Sequence, residues 1–274
     1  MARHIACLSF DFDAMSGFIS RGLTTPTLIS RGEFGNVGAH RILDLLKKYT
    51  IQSTWFIPGV VIETYPDTCR RIAAEGHEIG HHGWTHQAPA NLSREQERAG
   101  LIRANEAITR LTGTRARGYR SPSWDLSPHT IELLLEQEFT YDSSMMGHDC
   151  SPYFARTGDQ APLDGPFVFG QSTSLIEMPI SWSLDDHPHF ELWMTPSSSL
   201  PGLRNASGVL ENWVDDFIYM TRTVEWGVLT YTCHPYVIGR GHRMLMLERL
   251  INQLVDNGAV FTTMEAALGE FAST

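Results

Sequence analysis

The chain has 274 residues, a formal net charge of −10 at pH 7 and a pI near 5.6. This acidic balance argues against binding to nucleic acid or to anionic membrane surfaces. The content of 42% hydrophobic and 19% charged residues is typical of a folded globular protein, and we expect a single domain over residues 1–274. The N-terminus lacks the apolar run of a signal peptide, and no stretch reaches the ~20 apolar residues of a membrane span, so we expect a cytoplasmic protein.

Apolar strand-like runs alternate with amphipathic helices along the chain. The predicted strands cover residues 4–10, 52–57, 77–80, 116–121, 139–143, 175–182, 228–233 and 259–262. The predicted helices cover residues 39–49, 66–75, 93–111, 127–137, 207–224 and 243–257, with a short helix at the C-terminus. Long loops are expected at 14–38, 145–174 and 183–206.

This β-loop-α alternation, with few hairpin signals, favours a parallel sheet with crossover helices. Polar residues cluster where strands end, and in a (β/α) barrel such residues converge on one catalytic face. We therefore predict an α/β barrel. A doubly wound open sheet is the alternative, and the absence of a GxGxxG motif after the first strand disfavours a dinucleotide-binding fold.

Four histidines lie within residues 77–86. His82 and His86 are four positions apart, so on a helical turn both imidazoles would project from the same side. Imidazole is a common ligand of zinc and similar metals. We expect these two histidines to bind a metal, although ordinary surface or core histidines also occur at this spacing. His77 and His81 are expected to be structural or to support the ligands.

Two carboxylates, Asp11 and Asp13, lie at the end of the first predicted strand. On a regular strand both side chains would point the same way, and their like charges would meet unless a cation or an arginine lay between them. We expect Asp13 to bind the metal and Asp11 to transfer protons. The alternative is loop capping and turn formation, which aspartate favours.

Two further polar residues follow predicted strands. Arg120 could hold Asp11 ionised or bind an oxyanion, or it could form a surface ion pair. His234, before a proline, could act as a general acid or be a buried histidine bonded to the backbone. Asp185 and Asp186 are loop acids by default, and either could orient His234.

Candidates for substrate contact come from two other segments. Residues 30–35 are the densest part of the long loop 14–38, and a loop of this length is usually functional. Arg31 and Glu33 in this segment are therefore candidate substrate-binding residues in a cavity wall. Trp182 could form another wall, or it could be a core residue of its strand.

The ordered set of motifs resembles the polysaccharide deacetylase family, from residue 5 to about residue 265. The motifs are Phe10-Asp11-Phe12-Asp13, His82-Gly83-Trp84-Thr85-His86, Tyr119-Arg120-Ser121-Pro122, Ile180-Ser181-Trp182 and Cys233-His234-Pro235. The resemblance implies a distorted (β/α)7, TIM-like barrel with one divalent metal, zinc being the first choice. It assigns one role to each candidate: metal ligands Asp13, His82 and His86, general base Asp11, its partner Arg120, cavity wall Trp182 and general acid His234.

Two features depart from the commonest family pattern. Phe12 separates the two aspartates, which are usually adjacent, and the last motif reads His-Pro instead of His-Asp. With the long 14–38 segment, these departures resemble a cytoplasmic subgroup that includes Helicobacter-type peptidoglycan deacetylase and, more distantly, metal-independent allantoinases and cyclic imidases. This subgroup implies a homotetramer.

The predicted reaction is hydrolysis of a non-peptide carbon–nitrogen bond, and the first substrate class is an N-acetylated sugar. A small-molecule amidohydrolase, acting on an amide, imide or ureide with or without a metal, is the second possibility. A catalytically silent carbohydrate-binding relative is the third. Such a relative would not need Asp11, His234 and the three proposed metal ligands together.

Overall fold

The computed structural model describes residues 2–195, 198–200 and 202–272. In chain order, the described strands are β1 (Arg3–Asp11), β2 (Thr54–Ile57), β3 (Glu78–His81), β4 (Gly118–Tyr119), β5 (Tyr141–Asp142), β6 (Tyr153–Thr157), β7 (Gln171–Glu177), β8 (Trp193–Thr195), β9 (Ser198–Leu200), β10 (Trp226–Cys233) and β11 (Val260–Phe261).

The described helices connect and cover these strands. They are α1 (Ser16–Ile19), α2 (Pro26–Tyr49), α3 (Gly59–Thr64), α4 (Pro66–Ala74), α5 (Arg94–Thr112), α6 (Thr130–Glu136), α7 (Asp186–Phe190), α8 (Ala206–Thr223), α9 (Pro235–Ile238), α10 (Gly241–Asp256) and α11 (Met264–Phe271). Short 3₁₀ turns lie at Pro89–Asn91, Pro122–Trp124 and Trp182–Leu184. None of the described helices is both long and apolar enough to span a membrane.

The main sheet has the order β10-β1-β2-β3-β4-β5-β7-β6, and β11 also pairs with β1. Neighbouring strands from β10 to β7 are parallel, whereas β6 is antiparallel to β7. Beyond β7, Asp185 forms a parallel bridge with Thr232 of β10. Seven of the parallel strands, β1–β5, β7 and β10, thus curl into the distorted (β/α)7 barrel that the sequence predicts.

The sheet is buried on both faces, because helices cover its outside and side chains fill its inside. In β1 every residue from Ile5 to Asp11 is buried, as expected for a parallel strand covered on both sides. From the outer layer, α8 contributes the fully buried Trp213 and Phe217. The apolar run of β1 ends at Asp11, so its polar residues lie at the carboxyl edge of the sheet.

Residues 14–38 are not the loop that the sequence predicts, because α2 begins within this range and is 24 residues long. The first half of α2 lacks apolar periodicity because its buried face consists of Gly32, Gly35 and Gly38. The backbone of a neighbouring segment occupies the space that a side chain on this face would fill. A Cβ at Gly38, for example, would lie 2.0 Å from the carbonyl oxygen of Pro235. Glycine therefore serves close helix packing here, whereas the sequence interpretation took it as a loop signal.

Two other predicted loops also contain regular structure. The range 145–174 includes β6 and the first residues of β7, and the range 183–206 includes α7 and the β8–β9 hairpin. The predicted strand 175–182 ends at Glu177 and is followed by a 3₁₀ turn. Elements of three to five residues are too short for a clear hydrophobic period.

Apart from α2, the predicted helix starts lie within three residues of the observed ones. Ser93 and Gln96 form the expected capping box of α5, with both reciprocal hydrogen bonds present. The start of α8 is capped by Asn205 instead of Ser207. The helix expected from Ser127 begins three residues later, and the Ser127 hydroxyl instead accepts the backbone N–H of His129 at 3.0 Å.

Replacing Ser93 with alanine is expected to destabilise the protein by about 1 kcal/mol, because a backbone N–H at the start of α5 loses its acceptor. The unfolding midpoint, followed by circular dichroism, should fall by about 2–4 °C in a chain of this size. Ser207→Ala is the matched control, since Ser207 is exposed and does not cap α8. Equal midpoints for the two variants would contradict the assignment of the cap.

Candidate active site

The carboxyl ends of four barrel strands bring the candidate residues together. Asp11 ends β1, His82 and Arg120 directly follow β3 and β4, and His234 follows β10. A cavity of about 100 Å³ opens at this edge of the barrel. Its lining includes six of the residues chosen from sequence, namely Asp11, Asp13, His82, His86, Trp182 and His234.

Asp13 lies between two histidines. Its Oδ1 is 3.4 Å from Nε2 of His82, and its Oδ2 is 3.1 Å from Nε2 of His86. All three residues are buried, and one ligand atom from each lies within 4.8 Å of the others. Oδ1 of Asp13 and Nε2 of His82 make no hydrogen bond of normal geometry with any described residue. Buried unpaired polar atoms are rare, and one carboxylate with two imidazoles suits a zinc-type ion, so these residues fit a divalent metal.

The charges of these side chains stabilise one another. Burial raises the pKa of Asp13, but the neighbouring His86 and His82 outweigh this effect, and the pKa lies well below its usual value. Burial lowers the pKa of His82, but the carboxylates of Asp11 and Asp13 outweigh burial and raise it. Positive charge is therefore favoured between the carboxylates, whether a proton or a metal supplies it.

His82 and His86 do not lie on a helical turn, as their spacing suggested. His82 follows the last residue of β3, and His86 lies in the turn beyond it with φ +55°. The Nδ1–H of His82 donates to the carbonyl oxygen of Arg120 at 2.8 Å, which directs Nε2 towards Asp13. The ring centroids of the two histidines are 5.0 Å apart. A turn after β3, and not the helical turn that the spacing suggested, therefore brings the two rings together.

The other two histidines of the cluster lie away from the cavity and bond to the fold. Nδ1 of His77 accepts the backbone N–H of Ser53 at 3.1 Å. The Nε2–H of His81 donates to the carbonyl oxygen of Leu101, also at 3.1 Å. Burial lowers the pKa of His81 to about 3, so its ring is neutral. Both residues therefore have the structural contacts that the sequence interpretation expected.

Arg120 forms a fully buried ion pair with Asp11, with Nη1 donating to Oδ1 at 2.8 Å. The same nitrogen donates to the hydroxyl of Ser9 at 2.8 Å, and Nε and Nη2 donate to the carbonyl and hydroxyl oxygens of Ser143. Oδ2 of Asp11 is 3.9 Å from Nε2 of His82. This arrangement excludes a surface ion pair for Arg120. It fixes one carboxylate oxygen of Asp11 and leaves the other beside His82.

His234 is held by two aspartates. Its Nδ1–H donates to Oδ1 of Asp186 at 2.8 Å, and the Asp186 carboxylate also accepts the backbone N–H of His234 at 3.0 Å. Oδ1 of Asp185 is 3.5 Å from the same Nδ1. Burial lowers the pKa of His234, but the two carboxylates outweigh this and raise it to about 10. The geometry thus selects Asp186 as the residue that orients His234.

Comparisons with known proteins agree with this arrangement. Residues 31–141 match the family model described as polysaccharide deacetylase. The peptidoglycan deacetylase of Helicobacter pylori is 36% identical over 268 residues, which cover 93% of this chain and 91% of that protein. The peptidoglycan deacetylase-like protein FGM2 of Gibberella zeae is 31% identical over 299 residues, covering 96% and 85% of the two chains.

The chain belongs to the polysaccharide deacetylase family. It is accordingly a hydrolase of non-peptide carbon–nitrogen bonds, as its motifs predict. Among solved structures, a Mycobacterium smegmatis protein described as a candidate polysaccharide deacetylase superimposes with a TM-score of 0.85 at 28% identity, covering 99% of this chain and 91% of that one. Puue allantoinase superimposes with a TM-score of 0.82 at 22% identity, covering 100% and 91%, which shows a shared fold.

Trp182 of this family member lies at the mouth of the cavity and is not a core residue. Its side chain is 42% exposed, and its ring stacks on Trp124 with 4.2 Å between centroids and 25° between planes. Trp124 and the neighbouring Ser123 have positive φ angles of 52° and 62°. A positive φ strains residues other than glycine. The structure therefore holds this aromatic wall in place at some conformational cost.

The other two candidate contact residues are not brought to the cavity. Residues 31 and 33 lie on α2, where the sequence predicted a loop. Arg31 forms an ion pair with Glu191 and donates to the carbonyl oxygen of Leu192 at 3.0 Å, whereas Glu33 is exposed. Neither lines the cavity. The wall on this side instead includes residues that the sequence interpretation missed, namely Phe18, Arg21, His187 and Tyr236.

Sequence reasoning also missed a pair of acids behind Arg120. Asp142 and Glu177 are fully buried at the ends of β5 and β7. Oε1 of Glu177 accepts the backbone N–H groups of Ser144 and Met145, both at 2.7 Å, and Asp142 accepts the Ser144 hydroxyl at 2.6 Å. These bonds fix the segment that binds Arg120. The available signal was an acid in each of two predicted strands, 139–143 and 175–182.

The two acids favour a shared proton. Burial raises the pKa of Asp142 to about 6. Burial, together with the adjacent Asp142, raises the pKa of Glu177 well above its usual value. Two carboxylates in one dry site cannot both ionise cheaply. A carboxyl group whose pKa is higher in the folded than in the unfolded chain stabilises the fold while it is protonated. For Asp142 this stabilisation is complete below the unfolded pKa of 3.8 and is lost as pH rises through about 6.

We expect Asp142→Asn to flatten the decline in stability between pH 5 and pH 8, because one of the two ionising groups is removed while the amide oxygen can still accept from Ser144. The measurement is the unfolding midpoint as a function of pH. Asp159→Asn is the control, since Asp159 is part-exposed and its pKa is lowered by Arg156, which places its titration below this window. An unchanged slope in Asp142→Asn would refute the shared proton.

Proposed function

We propose that this protein is a metal-dependent deacetylase that hydrolyses the acetamido group of an N-acetylated sugar. The observation that carries the proposal is the buried set Asp13, His82 and His86, with its unpaired ligand atoms, beside the ion-paired Asp11 and the doubly held His234. The substrate class is supported by the peptidoglycan deacetylase of Helicobacter pylori, to which the chain is similar over most of its length.

Asp13, His82 and His86 would hold one divalent metal, and zinc is the first choice because two imidazoles and one carboxylate leave a coordination position open. Such a metal, when bound, polarises an amide carbonyl and makes water more acidic. The protein supplies the shape of the site. His82 is oriented by the carbonyl oxygen of Arg120, a type of support that metal-binding histidines usually have.

Asp11 is the proposed general base. Its Oδ1 accepts a hydrogen bond from Nη1 of Arg120 at 2.8 Å. Its Oδ2 lies on the cavity side, 3.9 Å from Nε2 of His82, and is the atom that would take the proton of the attacking water. Arg120 therefore fixes the orientation of Asp11.

His234 is the proposed general acid. Its Nδ1–H is donated to Asp186, so its Nε2 is the atom that faces the cavity, 3.8 Å from Oδ2 of Asp13. The two aspartates favour the protonated imidazole. A proton on Nε2 is thus available to the leaving nitrogen as the carbon–nitrogen bond breaks.

A second candidate function is a small-molecule amidohydrolase that acts on an amide, imide or ureide. The observation that favours it is the size of the cavity, about 100 Å³, which suits a small planar group better than several sugar rings. The fold shared with Puue allantoinase is compatible with this candidate but carries no substrate. Cytoplasmic location and a homotetramer stay predictions from the sequence resemblance.

Asp13→Ala is expected to abolish metal binding and to lower kcat/KM by about 10³-fold or more, since the proposed metal provides several kcal/mol of transition-state stabilisation. Metal content is measured by elemental analysis of the purified protein, and hydrolysis is measured on N-acetylglucosamine oligomers. Asp67→Ala is the control, because Asp67 is an exposed residue of α4 that pairs with Arg70. Full metal content and activity in Asp13→Ala would disprove the scheme.

The same assay on allantoin and cyclic imides, with and without chelator, separates the candidates. Chelator-sensitive deacetylation of the oligomers supports the first function. Hydrolysis of the small cyclic substrates alone supports the second, and insensitivity to chelator there would place the protein with metal-independent enzymes. Wild-type protein that binds sugar, holds no metal and cleaves none of these compounds would revive the silent carbohydrate-binding alternative.

Asp186→Asn is expected to reduce kcat by about 10²-fold or more, because His234 loses the carboxylate that orients its ring and stabilises its proton. Asparagine has nearly the same shape, so the unfolding midpoint and metal content should stay close to wild type. Steady-state kinetics on the oligomers provide the measurement. A change in kcat of less than about twofold would exclude a role for Asp186 in proton donation.

A further inference from the structure

Tyr236 is a buried residue in the wall of the cavity, and its hydroxyl group has no partner within the described chain. The residue is 7% exposed and lines the cavity. Its hydroxyl forms no hydrogen bond with the part of the chain that the structure describes. A buried tyrosine hydroxyl usually has a partner. Since the side chain borders the cavity, the missing partner is expected to be a molecule that occupies the cavity.

The ring of Tyr236 is held firmly. It makes edge contacts with Phe18 and His234, with centroids 5.7 and 5.9 Å apart, and with His187 at 6.3 Å. Its helix, α9, packs against the glycine face of α2, where a Cβ at Gly35 would lie 3.5 Å from Cβ of Tyr236. The position of the hydroxyl is therefore set by the fold and not by rotation of a loose side chain.

The surroundings keep the hydroxyl protonated. Burial raises the pKa of Tyr236 well above its usual value, and the charges of Asp13 and Asp186 add to this effect. Tyr236 is thus a hydrogen-bond donor throughout the physiological range. Its ring borders the proposed acid, His234, and Tyr236 lines the same cavity as Asp13 of the proposed metal site. These two groups flank the place where the reacting amide must lie.

We propose that the Tyr236 hydroxyl donates a hydrogen bond to the oxygen of the scissile acyl group while negative charge develops on that oxygen. The proton stays on tyrosine, and no bond to Tyr236 is made or broken. A preorganised donor at a developing oxyanion stabilises the transition state more than the ground state. This inference rests on the proposed amide hydrolysis, and it adds a catalytic residue to that reaction.

The test is Tyr236→Phe, which removes the hydroxyl and keeps the ring that packs on Phe18, His187 and His234. We expect kcat to fall by about 10²-fold or more, the typical loss on removing one oxyanion donor, while KM changes less than about threefold. Metal content and the unfolding midpoint should match wild type. Tyr65→Phe is the matched control, since Tyr65 is half-buried and does not line the cavity.

A second measurement separates catalysis from packing. Methylphosphonate, a tetrahedral anion, should bind Tyr236→Phe at least about tenfold more weakly than wild type by calorimetry, whereas the binding of planar acetate should change less. Unchanged kcat in an otherwise active enzyme, or a rise in KM alone, would overturn the oxyanion role and leave the proposed function intact. Wild-type protein that hydrolyses no amide would overturn both.

Discussion

Arg120 is the residue on which the rest of the site depends. Its guanidinium is fully buried, and burying a charge is costly unless it is paired and hydrogen-bonded throughout. The fold meets this condition with Asp11, with Ser9 and with both oxygens of Ser143. The carbonyl oxygen of the same residue orients His82. One residue therefore fixes the proposed base through its side chain and a proposed metal ligand through its backbone, which couples the two halves of the chemistry geometrically.

Although the chain is acidic overall, each aspartate considered in the site has a basic side chain beside it. Asp11 is neutralised by Arg120, and the Asp186 carboxylate is paired with His234. Asp13 has only imidazoles as close partners among the described residues. Imidazole can accept a proton or bind a metal, whereas a guanidinium can do neither. The aspartate whose close partners are all imidazoles is thus the one suited to bind an exchangeable cation. The permanently charged arginine instead pairs with Asp11, the proposed base.

Much of this site was predictable because the reaction restricts residue type. Metal binding and proton transfer need aspartate and histidine, and these stand out where apolar strands end, as Asp11, Asp13 and His82 do. Tyr236 was missed because no local pattern marks a residue whose proposed role depends on long-range contacts. Asp142 and Glu177 were visible as acids in predicted strands, but the contacts that join them are long-range and were not predictable. The prediction for Arg31 was affected differently. The glycines at positions 32, 35 and 38 are typical of a loop in the sequence. In the structure they belong to a helix, and their small size allows α2 to pack closely on α9.

Among the described residues, one backbone bridge, between Asp185 and Thr232, closes the barrel. Asp186 follows one side of that junction, and His234 follows the other. The hydrogen bonds between their side chain and backbone groups therefore span the junction and add to the one bridge that the strands provide. The contact that orients the ring of His234 thus also links the segment after β7 to the end of β10, so the proposed acid lies at the junction where the barrel closes.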